Sequence, residues 1–421
     1  MCEPSGLWNR NFLLFWQGQA VSLAGSSLST MAVALWIVDA TGSAALLGAV
    51  MMVGSLAGLL ATPIAGAVAD RYPRVRVIVW CDAFQGLSAL TMAGAVWAFP
   101  TAPSLALAAL FLFYAAGMAT SAVFAAAARA LVPDLVPPDL VPSANTATLA
   151  VVQTAGLAGK GFGGTAYRLL GAPFLLAVDG ITYLISSATE AFIRLPQAPS
   201  RPSAGWGEAV RGLATEAKEG FRYVWGDPGL RAAVLATACT TFCLEPLVVL
   251  LPFLVKDTRF LGLPADWYGY LLAGYGAANI AGYWLAGHTS LRGGGLAAGT
   301  MGVAGVGFVG LGLARSPGAA LGWIAASGLA LGFYNNSLLS QVQTRVPAHL
   351  RARALTAFQT LTMVLVPLGI GLAGAAAELP GRRVDLVFTG AGLATALAAL
   401  LASSRAGYRE LLSPRSSVRR Q

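Results

Sequence analysis

The chain has 421 residues, of which 56% are hydrophobic, only 11% charged and 50 glycine, with a net charge of +9. Soluble domains carry about 25% charged residues and about 7% glycine. This balance excludes an ordinary soluble enzyme, a disordered chain and a disulfide-framed secreted domain, and it dissolves most of the chain in lipid.

Taken in chain order, twelve apolar runs each approach the ~20 residues that a helix needs to cross the hydrocarbon core. They cover about 11–38, 44–69, 77–99, 103–129, 145–168, 173–194, 230–255, 267–287, 294–314, 318–344, 354–377 and 384–403. Bare backbone polar groups are too costly in hydrocarbon, so runs of this length must be helical. The alternating segments of about ten residues that mark an outer-membrane barrel do not occur. Short punctuation separates the runs: Thr41-Gly42-Ser43, Phe99-Pro100, Gly171-Ala172-Pro173 and Ser316-Pro317. The first run is far longer than a signal-peptide core and is read as part of the mature protein.

Orientation follows from the placement of Lys and Arg. With the N-terminus inside, twenty of the 27 basic residues fall in inner segments and six in outer ones. Lys160 lies within a span. Both termini are therefore expected in the cytoplasm of a cell that holds the chain in its inner membrane. The net positive charge reads as topology and attraction to anionic lipid, with no nucleic acid as partner. Four cysteines, Cys2, Cys81, Cys239 and Cys243, avoid the outer loops, so no disulfide is expected. Cys239 and Cys243 share a helix face with no third ligand nearby, and His288 and His349 are far apart, so neither a metal nor any other cofactor is predicted.

The expected organisation is a six-helix bundle over 1–195, a linker with an amphipathic helix over 196–229, a second bundle over 230–404 and a basic tail over 405–421. The segment 196–203 is Pro-rich and reads as flexible. Beyond it Trp206, Val210, Leu213, Ala217, Phe221 and Val224 recur at helical spacing, with charged residues between them. That is an amphipathic helix lying on the inner membrane surface or on the protein itself. The halves also resemble each other. Residues 136–144 recur as 346–354, both in the inner loop between the fourth and fifth spans of their half, at an offset of 210 residues. Duplicated halves around a midplane site are the architecture of alternating-access transporters.

The loop between the second and third spans, Gly66-Ala-Val-Ala-Asp70-Arg71-Tyr-Pro-Arg74-Val-Arg76, resembles the pattern of a Gly, an Asp-Arg pair and a basic cluster in the major facilitator superfamily. Residues 131–136 followed by Ala144-Asn145, residues 220–228 and residues 247–252 are similar to the bacterial exporters typified by macrolide and enterobactin efflux proteins. The resemblance implies an all-α integral membrane fold of twelve helices in two pseudo-symmetric halves. It also implies export of a small organic molecule, usually by proton antiport, without enzymatic activity. Gly66, Asp70, Arg71 and Arg74 would then form the cytoplasmic gate, with Arg76 a topology charge. Asp179 falls where the exporter branch carries Asp. In span five the branch often has Gly-Pro followed by Gly-Gly. Here Gly159-Lys160-Gly161 precedes Gly163-Gly164, so the glycines stay and a cation replaces the proline. Gly163 and Gly164 are expected in tight helix packing.

Intramembrane charges are expensive and default to function. Lys160 and Glu245 sit at similar predicted depth in different halves, and a buried carboxylate whose surroundings alternate can take up and release a proton. This pair is the expected coupling site. Asp82 is read as structural, near the inner arginines, and Glu190 as snorkelling from an inner helix end. Polar residues at helical spacing are expected along the substrate cavity: Gln19, Ser22 and Ser26 in span one, Gln153 in span five, Thr241 in span seven, and Asn336 and Ser340 in span ten. No Walker loop is present, so ATP does not drive the cycle directly. The expected function is proton-coupled export of a small, largely apolar molecule. The alternatives are a facilitator or importer of the same fold, a non-transporting receptor, or a membrane enzyme, for which two His are too few.

Overall fold

A computed structural model describes residues 6–100, 102–195, 206–289, 294–347, 349–379 and 383–412. The linker 196–203, Arg201, Arg292, Arg382, Cys2 and the tail 413–421 lie outside them, as do the side chains of Trp206, Val210, Arg211 and Leu213. Every described element is helical, with no strand among the described residues. The contacts sort the chain into two compact units, Met1–Leu213 and Ala214–Gln421.

The first unit holds α1 (Arg10–Thr41), α2 (Ala44–Arg71), α3 (Arg74–Ala98), α4 (Pro103–Leu135) and α5 (Val141–Glu190). The punctuation read from sequence is also the capping chemistry. Asn9 Oδ1 accepts from Phe12 N at 3.1 Å to start α1, Gly42 ends it in the left-handed region at φ 62°, and Ser43 Oγ accepts from Leu46 N at 3.2 Å to start α2. Spans five and six join as one long element, α5, whose path breaks at Gly171 (φ 76°, ψ 166°) ahead of Pro173. In this unit α1 packs on α5, α2 on α4, and α3 on both α4 and α5.

The second unit takes in most of α6 (Trp206–Gly226), followed by α7 (Pro228–Leu244), α8 (Pro246–Lys256), α9 (Asp266–His288) and α10 (Gly294–Leu313). It continues with α11 (Pro317–Arg345), α12 (Arg351–Met363), α13 (Val366–Ala377), α14 (Val384–Ser404) and α15 (Ala406–Leu412). Asp227 and Ser316 cap α7 and α11, each ahead of a proline at the first helical position. Two expected spans are broken. Span seven is α7 and α8, interrupted because Pro246 has no N–H to continue the ladder, and span eleven is α12 and α13, interrupted just before Pro367. Helix α9 packs on α11, α10 on α14 and α11, α7 on α12 and α14, and α8 on α13.

The apolar surplus sits outside as well as inside. Trp80, Trp97, Leu112, Phe162 and Trp284 are exposed, as lipid-facing side chains must be. The amphipathic α6 rests on the protein at its C-terminal end. Gly220 abuts the Arg353 carbonyl, Arg353 pairs with Glu219 at 2.5 Å, and Val224 is fully buried. Phe221 and Trp225, stacked 5.6 Å apart, stay exposed on the same helix.

Candidate functional site

Each unit contributes its own polar interior. In the first, α1, α3 and the second stretch of α5 approach closely because glycine faces glycine or a small side chain. A Cβ on Gly86 would lie 2.9 Å from the Gly180 carbonyl, one on Gly180 2.8 Å from that of Gly86, and one on Gly25 would collide with Thr182 Oγ1. Between these helices lie three carboxylates. Glu190, Asp82 and Asp179 are 0%, 1% and 4% exposed. Gln19 Nε2 donates to Glu190 Oε1 at 3.4 Å, Ser186 neighbours Asp82, and Ser29 neighbours Asp179.

This arrangement corrects two expectations. Glu190 does not snorkel: it is completely enclosed, because the end of α5 packs against α1 and α3 instead of standing at the unit's edge. Asp82 is not paired with the inner arginines: among the described residues neither it nor Glu190 has an ion-pair partner. Arg74 instead donates to Asp134 at 2.5 Å and to the Ala130 carbonyl at 2.9 Å, tying α3 to α4. With side chains 36% and 44% exposed, that pair is worth about 1 kcal/mol or less. A double-mutant cycle with Arg74→Ala and Asp134→Ala, read as thermal stability, is expected to return a coupling in that range. A coupling several-fold larger contradicts the assignment of a simple surface tie.

The remaining candidates of the first unit divide between packing and exposure. Gly159 abuts Ser27, and a Cβ on Gly163 would stand 2.8 Å from Met31 Cγ, so these glycines let span five close on α1; Gly164 is buried beside them. Ser22 is buried and returns its hydroxyl to the Gly18 carbonyl at 3.0 Å, and Ser26 donates to the Leu23 carbonyl at 3.3 Å. Gln19 and Ser22, expected along a cavity wall, are thus spent inside the bundle. Gln153 and Lys160 are exposed on α5, and Lys160 has no ion pair among the described residues. Asp70 is exposed at the end of α2 next to Arg71, and an added Cβ on Gly66 meets no atom within 4 Å.

In the second unit the centre of interest is the junction of α7 and α8. Glu245 is half-buried at that junction, its N–H on the Thr241 carbonyl at 3.3 Å and its charge within reach of Tyr275 on α9. The Phe242 carbonyl, which Pro246 deprives of its helical donor, faces Gly369 of α13, where a Cβ would sit 2.8 Å away. Thr237 and Tyr334 share a hydrogen bond of 3.0 Å that ties α7 to α11. Asn336, expected in the cavity, donates to the Tyr283 carbonyl at 2.8 Å and holds α11 on α9, while Ser340 is exposed.

Reading the sequence picked out Asp82, Asp179 and Glu190 singly and missed that they share one interior of the first unit. Its signal was there: Asp179, Tyr183, Ser186 and Glu190 recur at helical spacing along span six. No group of three or more His, Cys, Asp or Glu fit to hold a metal occurs among the described residues.

Comparison with known proteins agrees with this architecture. The family model of the Major Facilitator Superfamily matches residues 15–370. The chain is 25% identical to macrolide efflux protein A of Streptococcus pyogenes over 264 residues, 62% of each protein, so the match spans less than two thirds of that relative. It is 30% identical to the multidrug efflux pump Tap of Mycolicibacterium fortuitum over 390 residues, 86% of this chain and 88% of the pump. Among solved structures, a D-xylose–proton symporter superposes with a TM-score of 0.69 at 13% identity, covering 93% of this chain and 96% of the symporter. The nucleoside transporter NupG superposes with a TM-score of 0.68 at 15% identity, covering 94% of this chain and 100% of that one. At such identities the likeness is one of fold.

Proposed function

Because the chain belongs to the Major Facilitator Superfamily, we propose that it is a secondary active exporter of a small, largely apolar organic molecule, working by alternating access and driven by proton antiport. That it is a multi-pass membrane transporter for a small molecule, and not an enzyme, follows from the family itself. What supports export is the alignment with an efflux pump along 86% of the chain. We read residues 1–195 and 230–404 as the two halves, both termini as cytoplasmic, and Gly66, Asp70 and Arg71 as the gate.

Coupling is assigned to Glu245. Its carboxylate sits where a helix in the membrane is interrupted and no cation among the described residues of its unit pairs with it, so its charge state depends on what fills the space beside it. Lys160, an exposed intramembrane cation, is the second charge of the cycle.

The test is efflux of a fluorescent lipophilic amine or a macrolide from proteoliposomes under an imposed pH gradient. Wild-type protein is expected to export faster when protons can run inward. Glu245→Gln is expected to lose that acceleration by roughly tenfold, the equivalent of about 1.4 kcal/mol, while still binding cargo. Flux indifferent to the gradient in the wild type would instead make the chain a facilitator.

A further inference from the structure

We infer that Asp82 and Glu190 form a buried acid pair that holds a single proton between them, a proton-binding site inside the first unit and separate from Glu245. Asp82 comes from α3 and Glu190 from the end of α5; three residues before each, Ser187 Oγ donates to the Val79 carbonyl at 2.9 Å, which holds these turns of the two helices together, and Glu190 lies close enough to feel the Asp82 charge. Both are enclosed, as is Ser186, which is 0% exposed. Among the described residues no partner lies within hydrogen-bond geometry of Asp82 Oδ2, Glu190 Oε2 or Ser186 Oγ, although Ser186 neighbours Asp82. The serine points into the pair: a Cβ on Gly18 would stand 2.7 Å from Ser186 Oγ and 3.4 Å from Glu190 Oε1. Glycine at position 18 is what gives both groups room against α1.

The groups facing the pair come from three helices. From α1 there is Gln19, which donates to Glu190. From α3 there are Cys81, which lies within reach of both carboxylates, and buried Gln85. From α5 there are Ser186, Tyr183 and, beyond the tyrosine, Asp179. Of α4, packed against α3, Arg129 is exposed and Asp134 is tied to Arg74. No cation from these elements balances the pair.

Two negative charges side by side in a medium of low dielectric repel far more strongly than in water, so two such carboxylates cannot both be ionised. A single proton resolves the problem. Bound to one carboxyl oxygen, it supplies the O–H donor that the opposite oxygen lacks, and the pair carries one negative charge, met by the Gln19 amide. A second proton would remove that charge, and loss of the first would restore the repulsion. Because Gln19 belongs to α1 and the acids to α3 and α5, proton occupancy is linked to how these three helices pack. This holds whatever the cargo.

The test is infrared difference spectroscopy of the purified full-length protein in lipid nanodiscs, titrated in pH and exchanged into D₂O. The wild type is expected to show, at neutral pH, a protonated-carboxyl band that shifts in D₂O and disappears in Asp82→Asn/Glu190→Gln. Asp179→Asn and Glu245→Gln are expected to keep it. Gln19→Leu is expected to shift its frequency, since the amide contacts Glu190, and this single change leaves both acids in place should the double variant fail to fold. The idea is overturned if the band survives in the folded double variant or is untouched by Gln19→Leu. It is equally overturned if Na⁺ at constant pH abolishes the band, which would make the occupant a monovalent cation. Neither result depends on transport, so failure of the export reading leaves this test intact.

Discussion

Gly171→Ala is expected to lower the stability of the purified protein by about 1–3 kcal/mol, the cost of forcing a side chain into a backbone region open essentially to glycine alone. The residue sits at φ 76° and ψ 166° inside α5, where spans five and six meet. The space beside it is not the obstacle, since the nearest contact of an added Cβ is Pro173 Cδ at 3.8 Å. The strain is in the chain itself, so no neighbour can relax to relieve it. Gly262, at φ 60° in the loop after α8, provides the comparison. There an ordinary left-handed conformation should cost alanine about 1–2 kcal/mol, with Thr258 Cα 3.3 Å from the added Cβ. Thermal unfolding followed by size-exclusion recovery should rank Gly171→Ala below Gly262→Ala, and the reverse order would contradict the backbone argument.

Gly86→Val and Gly94→Val are expected to differ sharply, though both lie on α3 and make the same chemical change. At Gly86 a Cβ would stand 2.9 Å from the Gly180 carbonyl and from Leu184 Cγ, whereas at Gly94 nothing lies within 4 Å. Backbone cannot step aside as a side-chain tip can, so overpacking at Gly86 should cost about 1–3 kcal/mol or more. Without a hydrophobic force between helices in lipid, close backbone approach is much of what holds α3 on α5. Folded yield and melting temperature in detergent measure the contrast. Equal behaviour of the two variants would mean that α3 and α5 do not cross at this pair.

How much of this was readable beforehand depends on the kind of signal. The spans were legible because lipid imposes one rule along the whole length of a helix, and the caps at Gly42, Ser43 and Ser316 because they act on backbone three or four residues away. The duplicated halves were visible as a short repeat, and the fold adds a second sign of them. Gly159 lies under Ser27 of the first span, and Gly369, 210 residues further on, lies under Phe242 of the seventh. The buried carboxylates were harder. Position near an inner helix end suggested that Glu190 reaches water, but exposure is set by which helices cover that end, and this is a long-range fact. Gln19 and Asn336 show a related ambiguity. A polar side chain in a span has two uses, lining a cavity or joining helices, and spacing is the same for both. Gln19 joins α1 to α5 and Asn336 joins α11 to α9.

The two breaks in the second unit have a mechanical consequence. In the first unit the pair formed by α1 and the opening stretch of α5 is unbroken up to Gly171 and seamed by Gly159 and Gly163. The corresponding pair in the second unit is jointed twice, at Glu245–Pro246 and before Val366–Pro367, with α7 packed on α12 and α8 on α13. The helix pair of the first unit is therefore continuous and stiff, and that of the second unit is jointed. Elastic deformation during a cycle should concentrate in the C-terminal half, and the ionisable Glu245 rides on its crease.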